Sequence, residues 1–157
     1  MFQEVKAAIR LTPEFATDLF VFSGCARMNR LGEWQRAVAR TRELVGIAEA
    51  RGVILAEEFE PNFVAGSTAD LHRLFGAIPS PALTANLDLG HVFLCDPDPM
   101  AAIASLAGKI SHCHAENMGR GVHQHLPPDE GDMDLSQYFA ALRGIEPVAL
   151  PGRVHRH

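Results

Sequence analysis

Cysteine is scarce in this chain of 157 residues: Cys25, Cys95 and Cys113 are the three. An odd count, wide spacing and no C-x-x-C pair argue against a secreted disulfide scaffold, and point to buried thiols in a reducing compartment. Long apolar runs are also missing. No stretch approaches the ~20 residues that a membrane span needs, and MFQEVKAAIR lacks a signal peptide's apolar centre. A cytoplasmic protein with no membrane partner is expected. Positive charge is short as well. The formal net charge is −5 and the pI is near 5.9, with no Lys/Arg cluster before the last five residues. Nucleic acid is therefore an unfavoured partner, because a phosphate-backbone binder needs a basic stripe. Neither G-x-G-x-x-G nor G-x-x-x-x-G-K-[ST] follows any strand-like run, so both nucleotide-binding fingerprints are absent.

What remains is an ordinary globular composition, 47% hydrophobic and 21% charged, long enough for one domain with a real core. Strand-like and helix-like segments alternate. Residues 19–23 (LFVFS) form a short apolar run ended by Gly24. Residues 34–50 carry Trp34, Ala37, Val38, Thr41, Leu44, Val45 and Ala48 at the spacing of one buried helical face, and Gly52 closes that helix. VILA (53–56) is a second strand. Ser67 to Asp70 resembles a capping box, and the helix behind it carries Leu71, Leu74 and Phe75. Residues 83–87 form a third strand. Asp98-Pro99 opens a further helix, KISHC (109–113) is a fourth strand, and Asp134 caps a last helix. Val148 to Leu150 begins a possible fifth strand. This βα alternation predicts an α/β fold with a parallel sheet, and leaves barrel and doubly wound sheet both open.

Chemistry-bearing residues gather after the strands. VILA runs into Glu57, Glu58 and Glu60. The third strand runs into Asp88, with His91 three residues on. The fourth runs into His114, with Glu116, Asn117 and Arg120 close behind. Parallel barrels place their active sites at this end of the strands. Mixed carboxylate and imidazole donors suit Mn²⁺, Mg²⁺, Co²⁺ or Zn²⁺. Each residue also has a plainer reading. The plainer readings are a solvated loop residue for Glu58, a turn cap for Asp88, and exposed loop histidines for His123 and His125. His112 shares a face with His114 and is assigned here to the core.

The segments GVILAEEFEP, LDLGHV, ISHCHAEN and HQHLPPDEGDMD, in that order, resemble the xylose-isomerase-like TIM-barrel superfamily. That group includes sugar phosphate isomerases/epimerases, ketose 3-epimerases and endonuclease IV. The resemblance covers residues 19–150. It implies a partial (βα)8 TIM barrel, about strands four to seven or eight with outer helices. The domain runs over residues 1–150, followed by a divergent tail, 151–157. A complete barrel takes about 250 residues, and the expected shortfall is N-terminal. The resemblance puts metal ligands on Glu58, Asp88 and His114, with Glu58 also the catalytic base, and substrate contacts on His91, Arg120 and His125. It implies a divalent-metal-dependent isomerase or epimerase acting on a sugar or sugar phosphate through an enediolate. The alternatives are a non-catalytic truncated pseudo-enzyme and an endonuclease IV-like zinc phosphodiesterase, for which further ligands would be needed. One departure stands out. The resemblance calls for a last-strand Glu as fourth ligand and opposite-face base, and Pro151 stands there. Impaired activity follows. A homo-oligomer, or a partner chain completing the barrel, is expected to cover the exposed sheet edges.

Overall fold

The computed structural model of the chain describes residues 2–145. Four parallel strands, β1 (Leu19–Ser23), β2 (Ile54–Glu58), β3 (Leu83–Asp88) and β4 (Ile110–His114), lie in the order β1-β2-β3-β4. Each strand sits beside its predecessor. Right-handed crossovers that always step the same way keep the helices on one face of the sheet. A doubly wound sheet reverses its order at a switch point, and no reversal occurs among the described strands. The architecture is therefore a partial barrel. The expected fifth strand at Val148 and the tail from Pro151 lie outside the described residues.

The outer layer consists of α1 (Phe2–Leu11), α2 (Glu33–Glu49), α3 (Thr68–Ala77), α4 (Leu89–Cys95), α5 (Pro99–Ser105) and α6 (Leu135–Arg143). Three starts match their sequence signals. The Ser67 hydroxyl accepts from the Asp70 N–H at 3.3 Å, the Asp98 carboxylate from Ala101 at 3.0 Å, and the Asp134 carboxylate from Ser136 at 3.1 Å. Each satisfies an orphan helix N–H, a contribution of about 1 kcal/mol. Helix α1 had no such announcement, and α4 was not expected despite the Asp88 cap at its start. β3 passes directly into α4 without a loop residue, so LDLGHVFLC reads as one apolar run.

Every residue of β2 and β3 is buried. Leu55, Leu83, Leu87, Leu71 and Leu89 pack between sheet and helices with 1% exposure or less, each contributing about 1.5–3 kcal/mol. β1 is half-buried throughout, and His112 and His114 on β4 are exposed. His112 is thus not a core histidine. Its ring lies on the inner face beside His114, with centroids 5.3 Å apart. The cysteines also differ from expectation. All three are free and only half-buried, although burial still pushes the Cys95 and Cys113 thiols up to about 11 and about 12.

One irregularity positions the site. Ala85 pairs with Ile110, yet Asn86 pairs with His112 and Asp88 with His114. Ser111 is the extra residue on β4, its hydroxyl 2.6 Å from that of Thr84. A bulge of this kind turns the following side chains over. His112 and His114 therefore share the inner face with Asn86 and Asp88.

Candidate metal centre

Three consecutive strand ends meet. Glu58 closes β2, Asp88 closes β3 and His114 closes β4. One oxygen or nitrogen from each lies within 4.8 Å of the other two. His114 Nδ1 is 2.8 Å from Glu58 Oε1 and 3.7 Å from Asp88 Oδ2. Metal bonds of 2.0–2.2 Å at tetrahedral or octahedral angles require ligand atoms about 3–3.5 Å apart, and these separations bracket that range. Asp88 divides its work. Oδ1 accepts the His91 N–H at 3.0 Å and caps α4, while Oδ2 faces His114. The Ser23 hydroxyl donates toward Glu58 Oε2 and Glu60 Oε1, each at 3.4 Å.

Asn86, fully buried two residues before Asp88 on the same face, brings Nδ2 to 3.2 Å from His114 Nδ1. Its Oδ1 is buried without a partner. Such a group costs about 1–3 kcal/mol, a cost suited to a polar site and not to a packed core. Two carboxylates and an imidazole, with an orphaned amide oxygen beside them, fit a divalent cation of the Mn²⁺ to Zn²⁺ type.

A second cluster adjoins the first. His91, His123 and His125 also bring ring nitrogens within 4.8 Å of one another, and so do the ligand atoms of Asp88, His91 and Glu116. His91 is 1% exposed. Its Nδ1 lies 2.8 Å from the Phe59 carbonyl, and its Nε2 lies 3.1 Å from His123 Nε2 and 3.7 Å from Glu60 Oε2. A carbonyl only accepts, so Nδ1 carries the proton and Nε2 presents a lone pair. His125 Nδ1 bonds the Glu116 carboxylate. That hydrogen bond raises the imidazole's pKa above its ordinary value, against a smaller effect of burial.

The structure thus brings together Glu58, Asp88, His114, His91 and His125. Arg120 is turned aside. Its guanidinium lies 5.4 Å from the Phe93 ring centre, and its backbone N–H donates to Asp132 at 2.7 Å. Sequence reasoning did not assign Asn86, Glu60, His123 or Glu116 to the site. Glu60 and Glu116 carried a signal, since each follows a strand end. Asn117 organises the loop behind the site. Its Nδ2 donates to the Pro128 and Met133 carbonyls, and its Oδ1 accepts from the Met118 and Met133 N–H groups.

A family model described as xylose isomerase-like TIM barrel matches residues 2–147. The chain belongs to that family. Solved structures agree on the fold. The IOLI protein with a bound zinc atom superimposes with a TM-score of 0.77 at 20% identity, over 94% of this chain and 59% of that one. A xylose isomerase domain protein from Planctomyces limnophilus gives 0.76 at 18%, over 94% and 56%. An L-ribulose 3-epimerase gives 0.75 at 21%, over 94% and 52%. The chain spans little more than half the length of these three proteins. No curated protein matches it. Within this xylose isomerase-like fold, Glu58, Asp88 and His114 stand at the ends of β2, β3 and β4, with the histidine cluster of α4 and the following loop beside them. The last-strand position, Pro151 here, lies outside the described residues. Among the described residues, no helix is long and apolar enough to cross a membrane.

Proposed function

We propose that this chain supplies the metal-binding strands of a divalent-metal-dependent isomerase or epimerase acting on a sugar or sugar phosphate. The convergence of Glu58, Asp88 and His114 on three successive strand ends carries the reading. A divalent ion held there would supply Lewis-acid stabilisation of negative charge beside the substrate carbonyl. Glu58, its Oε1 toward His114 and its Oε2 toward Ser23, is the proposed base that moves the proton on the carbon next to that carbonyl. His91, its Nδ1 toward the Phe59 carbonyl and its Nε2 toward His123, is the proposed contact to a substrate hydroxyl, which would take the place of His123 at Nε2. His125, on the loop after β4, is a further contact, and Arg120, turned toward Phe93, is not. With Pro151 where the resemblance calls for a second carboxylate, proton removal is expected to outpace full epimerisation. β1, half-buried beside a fully buried β2, supports coverage of that edge by further barrel strands or a second copy.

The test is deuterium wash-in from D₂O beside the carbonyl of a ketose panel, with and without Mn²⁺, beside calorimetric Mn²⁺ titration. Wash-in is expected only with metal, and Glu58→Gln should abolish it. His114→Ala should weaken Mn²⁺ binding. Metal binding that ignores both substitutions would overturn the reading.

The His91, His123 and His125 cluster favours a second reading, an endonuclease IV-like multi-zinc phosphodiesterase. It supplies part of the additional ligand set that such a site needs. Two bound Zn²⁺ per chain with cleavage of abasic DNA would select it, and a single ion with no cleavage would remove it.

A further inference from the structure

Glu57 and Glu58 are consecutive on β2, and strand pleating sends them to opposite faces. Glu58 faces the metal centre. Glu57 faces the helix layer, where it borders a cavity of about 360 Å³ between the sheet, α1 and α2. The walls are mainly apolar, with Phe2, Phe22, Trp34, Leu44 and Leu74 among them. Glu57 is 2% exposed, and its Oε2 is buried without a hydrogen-bond partner. Gly24 lets the carboxyl sit there, since a Cβ at that position would lie 2.9 Å from Glu57 Oε1. Burial raises the pKa of the group to about 8.

An unpaired buried carboxyl costs at least about 1–3 kcal/mol. Small-molecule pockets run from about 300 to 1,000 Å³, with apolar walls and a few fixed polar groups. This cavity has that composition. A hydroxyl both donates and accepts, so it pairs with a carboxyl in either protonation state. Aromatic walls favour a flat ring. A cationic ligand is disfavoured, because Lys6 and Arg40 already stand over the Phe2 ring at 4.5 and 5.4 Å. A sugar would leave most of its hydroxyls unpaired against these walls.

We propose that this outer-face cavity binds a neutral phenol-class small molecule, its ring among Phe22, Trp34 and Leu44 and its hydroxyl on Glu57. The site is separate from the metal centre and does not depend on the isomerase reading.

The experiment titrates the full chain with p-cresol and, as a control without the hydroxyl, toluene. Calorimetry and the emission of Trp34, the single tryptophan, report binding. Saturable p-cresol binding is expected, about tenfold tighter than toluene, the worth of one net hydrogen bond. Glu57→Leu should erase the preference. Glu57→Gln, which keeps a donor and an acceptor, should retain it. Absence of saturable p-cresol binding overturns the proposal, and so does equal affinity for the two probes. A preference that survives Glu57→Leu also overturns it. If Glu57→Leu does not fold, loss of the preference in Glu57→Gln has the same force.

Discussion

Asp88 performs two tasks with one carboxylate, and two substitutions separate them. Oδ1 caps α4 through the His91 N–H at 3.0 Å, and Oδ2 faces His114 at 3.7 Å. Asn caps a helix about as well as Asp, whereas Ala forfeits about 1 kcal/mol. For a chain of this size that is a fall in melting temperature of about 2–4 °C. Without metal, Asp88→Asn is therefore expected to melt with the parent and Asp88→Ala to melt lower. Metal reports the second task. An ion at a hundred times its Kd stabilises the parent by about 2.7 kcal/mol, a rise of about 5–11 °C. Loss of an outer-shell partner already lowers metal affinity about 10–100-fold, so loss of a direct ligand should cost no less. A tenfold loss leaves about 1.4 kcal/mol at the same concentration, a rise of about 3–6 °C. Differential scanning calorimetry with and without Mn²⁺ measures all four values. A full metal-induced rise in Asp88→Asn would refute the ligand role. A metal-free fall as large as that of Asp88→Ala would refute the division of labour.

Two further outcomes are expected. Asn117→Ala removes the partner of four backbone groups, three of them in buried hydrogen bonds, and should cost at least about 3 kcal/mol in urea denaturation; a loss under about 1 kcal/mol would show that the loop is held by other contacts. In metal-free protein the Glu116 hydrogen bond raises the His125 pKa, so its contribution to stability is full below the unfolded value of about 6.5 and fades as pH rises through the folded one. A proton NMR titration should place the His125 midpoint above that value and Glu116→Gln should lower it, and a parent midpoint at or below it would contradict the pairing.

Local physics was legible in the chain. Ser67, Asp98 and Asp134 announced their helices because a cap depends on residues within one turn. The four strands were short apolar runs, and the polar residues behind them marked the end where a parallel barrel does its chemistry. Helix α4 escaped notice because it begins on the residue after β3, and no loop breaks the apolar pattern.

The chain by itself determined that Glu58, Asp88 and His114 follow strands, and that neighbours such as Glu57 and Glu58 must part to opposite faces. Only the tertiary structure decided which face each takes. Continued from Ala85 and Ile110 without a shift, the register would set Cys113 opposite Asp88. The bulge at Ser111 sets His114 there instead, and periodicity cannot reveal an extra residue whose partner strand is unknown. His91 meets His123 across 32 residues of sequence for the same reason. Side chains that distant share a site because β3, α4 and the loop after β4 are packed against one another. That packing follows from the burial of Leu87, Leu89, Val92 and Met118, a property of the whole core and not of any single segment.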